Sequence, residues 1–160
     1  MAIDPEDIIA DIGAGSGYHV FKMAKLAESG LIYAVDIQYE MLEEISNRKE
    51  RDQIKNVRVI KGGEKNINIA ENSLDKVLMV DVYHEFNYPA EMLVSIKKAL
   101  KADGKLFLIE YRGEDESVPI KELHKMTEAQ AIKEMQAAGM KLHRNIDNLP
   151  WQHCMVFIKN

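Results

Sequence analysis

Two rhythms alternate along this chain: short unbroken apolar runs, and longer stretches in which apolar residues return every three or four positions. Ile8 to Ile12, Leu31 to Val35, Val57 to Ile60, Lys76 to Val82 and Lys105 to Glu110 are of the first kind. Runs this short, without polar alternation, predict strands covered on both faces, as in a parallel sheet whose crossovers are helices. The second rhythm predicts those helices. Val20, Met23, Ala24 and Ala27 fall on one face of a helix that begins at Gly17 and stops at Ser29-Gly30. Met41, Leu42 and Ile45 form the stripe of the next, with Glu43, Glu44, Arg48, Lys49 and Glu50 on its solvated side. Met92, Leu93, Ile96 and Leu100 share a face of a third, from about Ala90 to Leu100.

The remaining segments are punctuated by turn residues. Gly62-Gly63 turns into a polar connection through Asn66, Asn68 and Asn72, and Ala102-Asp103-Gly104 turns the third helix into the fifth strand. Arg112 to Met126 has no clear period, and irregular connections of that length are commonly lids or binding loops. Thr127 and Gln130 stand at capping-box spacing before a helix carried by Ala131, Met135 and Ala138 and stopped by Gly139. Leu142 to Ile146 and Met155 to Ile158 predict two last strands, and the short link Asp147 to His153 suits antiparallel pairing rather than a crossover. The fold class expected is α/β: a doubly wound, mainly parallel sheet with one antiparallel strand, formed by residues 1–160 as a single domain.

Composition narrows the partners. The 160 residues include 21 basic and 26 acidic ones, a formal net charge of −5, with no basic run of the kind that grips a phosphate backbone. Nucleic acid is not expected as a partner, and no apolar run is long enough to span a membrane. A single cysteine, Cys154, cannot form an internal disulfide and is expected to be packed in its strand, which suits a reducing compartment. Met1 to Asp7 lack the basic and apolar regions of a signal peptide, so a cytoplasmic location is expected.

The most informative chemistry lies where the first strand ends. Asp11-Ile12-Gly13-Ala14-Gly15-Ser16-Gly17 combines an acid with three alternate glycines, and Asp36 closes the second strand. Glycines let the backbone turn sharply and lie against a ligand where a Cβ would collide, and an acid at the second strand end can accept both hydroxyls of a ribose. A dinucleotide fingerprint needs a third glycine where Tyr18 stands, which disfavours NAD, and no Gly-x-x-x-x-Gly-Lys-Ser/Thr phosphate loop is present.

The acid-x-Gly-x-Gly-x-Gly turn, followed by Asp36 in a strand-helix-strand context, resembles motif I of the class I S-adenosylmethionine-dependent methyltransferases, including quinone-biosynthesis methyltransferases. The resemblance covers nearly the whole chain. It implies a strand order 3-2-1-4-5-7-6 and S-adenosyl-L-methionine as cofactor. By position, Gly13, Gly15 and Gly17 would form the turn under the methionine moiety, with Asp11 close to its ammonium. Asp36 would hold the ribose, and Ile37, with Met41 as a second candidate, would cover the adenine or else belong to ordinary core packing, the reading favoured for Met41. After the third strand the family commonly reads Gly-Asp, whereas this chain has Gly62-Gly63-Glu64. Either Glu64 reaches the adenine or a backbone group near Gly63 replaces it.

For catalysis, Asp81-Val82-Tyr83-His84-Glu85 resembles a family segment that faces the transferred methyl group. His84 is the first candidate base, with Asp81 and Tyr111 beside it and His124 behind. Asp81 is also a candidate cofactor contact, since it lies at a strand end. Arg112, Lys121 and Lys125 would favour an anionic acceptor, or else belong to a solvated loop. No His, Asp and Glu stand at a metal-ligand spacing, so no metal is expected, and no Asn-Pro-Pro-aromatic motif suggests base methylation. The few residues before the first strand predict an open cleft, covered by residues 112–126, by the acceptor, or by a second copy in a homodimer, with Trp151 a candidate contact. The function expected is methyl transfer to a small-molecule acceptor. A cofactor-binding partner subunit without turnover is the alternative, and a nicotinamide oxidoreductase a third.

Overall fold

In the computed structural model, which describes residues 1–160, every apolar run becomes a strand. These are β1 (Ile8–Ile12), β2 (Leu31–Asp36), β3 (Val57–Lys61), β4 (Leu74–Val80), β5 (Leu100–Arg112), β6 (Lys125–Met126), β7 (Met140–Asn145) and β8 (Gln152–Lys159). The helices are α1 (Tyr18–Leu26), α2 (Tyr39–Arg51), α3 (Pro89–Ala99) and α4 (Glu128–Ala137). The sheet order is β3-β2-β1-β4-β5-β8-β7, with only β8 reversed: it runs antiparallel to both β5 and β7. This is the order and the single reversal that the resemblance implies.

Both faces of the sheet are covered, which is why its central strands carry no polar alternation. Val77 and Met79 of β4 point into one layer, with Leu106 and Leu108 of β5 and Met92, Leu93 and Ile96 of α3. Leu78, one step along β4, points into the other, with Ile9, Ile32, Phe107 and Val20, Phe21 and Ile45 of α1 and α2. Each such aliphatic side chain stabilises the fold by about 1.5–3 kcal/mol through burial. Cys154 of β8 is buried in this packing, as its place in an apolar run suggests.

The structure departs from the expected boundaries in ways that matter for the site. β4 stops at Val80 rather than Val82, because Asp81 takes a left-handed conformation (φ 51°) and Tyr83–Glu85 form a 3-10 turn. β5 is longer than its apolar run and absorbs the Ala102-Asp103-Gly104 turn in an irregular stretch of its pairing with β4. Within the segment read as a lid, Glu122–His124 form a 3-10 turn, and Lys125 and Met126 pair parallel to Tyr111 and Arg112 as β6. Only half of the capping box forms. Thr127 Oγ1 accepts from the Gln130 backbone N–H at 3.1 Å, while the Gln130 side chain donates to Glu134 instead.

Candidate active site

A doubly wound sheet leaves a crevice beyond its carboxyl ends where the winding reverses. Here the reversal falls between β1 and β4, and a cleft of about 350 Å³ opens there. Gly13 and Gly15 after β1, Asp36 and Ile37 after β2, Gly63 and Glu64 after β3, and Asp81 and Glu85 after β4 all line it.

The turn that forms its floor is held by β2. Gly13 and Ala14 both donate backbone N–H bonds to Val35 O, at 2.9 and 3.0 Å, which folds the chain back across the strand end. Gly13, Gly15 and Gly17 all adopt positive φ, of 74°, 51° and 81°. Their surroundings then separate their roles. A Cβ on Gly13 would come within 2.5 Å of Val82 Cγ2, whereas one on Gly15 would meet nothing within 4 Å. Gly15 therefore presents bare backbone to the cleft. Gly17 does not line the cleft: it precedes α1, and a Cβ there would lie 2.8 Å from Phe21.

The two acids flank this turn differently. Asp36 Oδ2 accepts from Gly15 N–H at 2.9 Å and Oδ1 from Gln38 N–H at 2.8 Å, so both oxygens are oriented at the cleft wall with further lone pairs to offer. Asp11 is 2% exposed, below the turn rather than in the cleft lining, and its Oδ2 has no hydrogen-bond partner. Burial, and then the charge of Asp36, push its pKa up to about 7. A buried carboxyl with a vacant lone pair beneath a glycine turn fits a cationic ligand above it.

At the far end of the cleft, half-exposed Ile37 and, beside it, Met41 supply apolar wall. The Gly63 N–H is already donated to Asn66 O at 2.8 Å, so it is not free to contact a ligand. The Glu64 carboxylate remains the acidic group at that end.

The opposite end is more elaborate than its residues suggest singly. Asp81 Oδ2 accepts from Gln152 Nε2 at 2.7 Å, while its Oδ1 is buried and unpaired, and burial pushes its pKa up. His84 Nδ1 lies 2.6 Å from Glu110 Oε2, and Glu110 Oε1 accepts from the Tyr83 backbone N–H at 2.8 Å. Glu110 is fully buried; burial raises its pKa and its bond to His84 works against that. A carboxylate on Nδ1 favours the tautomer in which that nitrogen carries the proton and Nε2 the lone pair. That nitrogen is 3.1 Å from Nδ1 of His124. No signal in sequence spacing groups these residues, yet His84, Glu85 and His124 each place a ligand-capable atom within 4.8 Å of the others. The grouping arises in the fold, because β6 pairs with the end of β5 and brings His124 over the end of β4.

Other candidates are placed elsewhere. Tyr111 pairs with Lys125 and Gln152 within the sheet and does not line the cleft. Arg112 is tied to Asp147 at 2.5 Å, and Lys125 to Glu122 at 2.6 Å, so neither is a free cation awaiting an anionic acceptor. Lys121 is exposed, and Trp151, half-exposed, uses its carbonyl to accept from Arg112 N–H. No helix is long and apolar enough to cross a membrane.

Fold, glycine turn and strand-end acids together define a methyltransferase of the class that uses S-adenosylmethionine. A family model described as a methyltransferase domain matches residues 3–155, and the chain belongs to that family. It is similar to the uncharacterized methyltransferase YdaC of Bacillus subtilis, 28% identical over 141 residues that cover 88% of this chain and 75% of the relative. It is also similar to the ubiquinone/menaquinone biosynthesis C-methyltransferase UbiE of Wigglesworthia glossinidia brevipalpis, 29% identical over 111 residues, covering 68% of this chain but only 44% of that protein. Among solved structures, a SAM-dependent methyltransferase from Aquifex aeolicus superposes with a TM-score of 0.89 at 23% identity, over 97% of this chain and 82% of that one.

Proposed function

We propose that this protein transfers a methyl group from S-adenosylmethionine to a small-molecule acceptor, bound at the β4–β6 end of the cleft. The observation that carries the reading is the Gly13–Gly15 turn with Asp36 hydrogen-bonded to its apex. When bound, S-adenosylmethionine supplies an electrophilic methyl carbon on a sulfonium. The residues that would hold it are Gly13 and Gly15 below the methionine moiety, Asp36 at the ribose, and Ile37 and Glu64 at the adenine. Asp11, beneath the turn, would supply negative charge toward the ammonium without lining the cleft, and Gly17 would act by shaping the turn.

At the other end, the chain's own groups orient and activate the acceptor. Glu110 holds His84 with its Nε2 against Nδ1 of His124, just behind the cleft lining, and Asp81 and Glu85 are the acidic groups that face the acceptor there. Alignment of acceptor and methyl donor accounts for most of the work in an in-line displacement, for which roughly 7–11 kcal/mol is available from orientation alone. A small acceptor suits a cleft whose free charged groups are acidic and which has no basic surface run.

Calorimetric titration with S-adenosylmethionine, S-adenosylhomocysteine and NAD, followed by a labelled-methyl screen on cell extract, tests this. Tight binding of the first two, none of NAD, and label in a low-molecular-mass product are expected. Protein that binds neither sulfur compound refutes the reading.

A further inference from the structure

We propose that His84, Glu85 and His124 form a binding site for a divalent transition-metal ion of the zinc type, placed at the acceptor end of the cleft. Two imidazole nitrogens face each other at 3.1 Å, and the Glu85 carboxylate completes a group whose atoms lie within 4.8 Å of one another. Two nitrogens each about 2.0–2.1 Å from one tetrahedral zinc stand about 3.3 Å apart, close to the separation found. Two histidines and one carboxylate leave positions open, as in metal sites that bind a substrate or water.

The support behind His84 is the stronger part of the argument. A metal-bound histidine usually donates its other N–H to a carboxylate, which fixes the tautomer and raises ligand basicity. Glu110 occupies that place at 2.6 Å from Nδ1, fully buried, and is itself held by the Tyr83 N–H. A hydrogen bond between two neutral rings needs none of this reinforcement, and it gives no reason for the third group, Glu85, to converge. The elements that meet are also unrelated in sequence: His84 and Glu85 lie on the 3-10 turn after β4, His124 on the 3-10 turn that precedes β6.

Glu85 lines the cleft while neither histidine does, so an ion held here would stand behind the cleft wall and meet the acceptor on its Glu85 side. It would take an oxygen, nitrogen or sulfur donor atom of that molecule, and a hydroxyl or thiol so bound would release its proton to water more readily. The His84 lone pair would then act through the ion rather than on the acceptor directly. This role at the acceptor rests on the methyl-transfer reading, whereas the ion site itself does not.

The test uses the full chain without a histidine tag, stripped with a chelator and titrated with Zn²⁺ and Co²⁺ by calorimetry. One equivalent should bind, and Co²⁺ should show the visible absorption of a low-coordinate site. His124→Ala should abolish that absorption. Glu110→Gln, acting through His84 as a positioning residue, should weaken affinity roughly 10–100-fold. Since Glu110 is buried, Glu85→Gln serves as a milder second variant and should also weaken binding. No binding at millimolar metal, or binding unchanged in His124→Ala and Glu85→Gln, overturns the site. Each sample is titrated with S-adenosylhomocysteine in parallel. Protein that takes this compound but no metal loses only the ion site, and protein that takes metal but not the compound loses the methyl-transfer reading instead.

Discussion

The Asp11 carboxyl offers a test of the trade between stability and cofactor binding. Its pKa stands at about 7, raised by burial and then by the charge of Asp36. In the unfolded chain an aspartate titrates near about 3.9. Between these values the native protein holds a proton that the unfolded chain has released, so stability falls as pH rises from about 4 and levels off above about 7. A difference of about three pH units at about 1.4 kcal/mol each makes the whole loss up to about 4 kcal/mol. Asp11→Asn keeps the shape and cannot ionise. The variant should match the wild type near pH 4 and gain on it progressively, becoming more stable by up to about 4 kcal/mol at pH 8 without cofactor. Urea unfolding followed by circular dichroism, at intervals between pH 4 and 8, measures that difference. The same variant should bind S-adenosylhomocysteine more weakly, because the negative charge beneath the glycine turn is gone. A stability difference that does not change with pH refutes the account of Asp11.

Three further outcomes follow from the same contacts. Gly13→Ala forces a Cβ into Val82 at a φ of 74°, costing about 1–2 kcal/mol for the backbone and about 1–3 kcal/mol for the overlap, read as a lowered urea midpoint. Adding Val82→Ala should recover part of that loss, and no recovery would show that the overlap is not its cause. Asp36→Ala removes the acceptor for the Gly15 and Gln38 N–H groups and should weaken S-adenosylhomocysteine at least ~100-fold by calorimetry; an affinity within threefold of wild type would remove Asp36 from the ribose. Glu64→Ala, exposed and lining the cleft, should leave stability within about 0.5 kcal/mol and weaken the nucleoside by about one hydrogen bond, roughly fivefold. Full affinity would place Glu64 outside the site.

The proposed cofactor end was legible in the sequence because its parts are neighbours there. The Asp11–Gly17 turn directly follows β1, and Asp36 ends the next strand, so spacing alone brings acid and glycines together. Even here the sequence could not separate the glycines by task. Gly15 faces open space while Gly17 packs under Phe21, a difference set by side chains of α1 and α2. The proposed acceptor end is of another kind. His84, Glu110 and His124 are joined by contacts between residues 26 and 40 positions apart. They meet because β5 outruns β4, and the edge it leaves at Tyr111 and Arg112 is taken by the two residues of β6. A two-residue strand has no period to read, and an aperiodic stretch between 112 and 126 looks like a lid for the same reason.

That construction makes the two ends separable, and one residue can show it. Within residues 113–124 only Val118 is buried, at 2% exposure, so it is the apolar anchor of the segment that carries His124. Val118→Ala removes two methyl groups' worth of burial, about 1.5 kcal/mol, with any unfilled space adding to it. A segment with one such anchor opens at lower free energy than the sheet, so the loss falls first on its own order. The ring-proton signals of His84 and His124 should then shift together in NMR spectra, while S-adenosylhomocysteine affinity stays near wild type, since the Gly13–Gly15 turn and Asp36 are held by β1 and β2. Unmoved histidine signals would mean that the segment is anchored by more than Val118. A parallel fall in nucleoside affinity would mean that the two ends of the cleft are one unit after all.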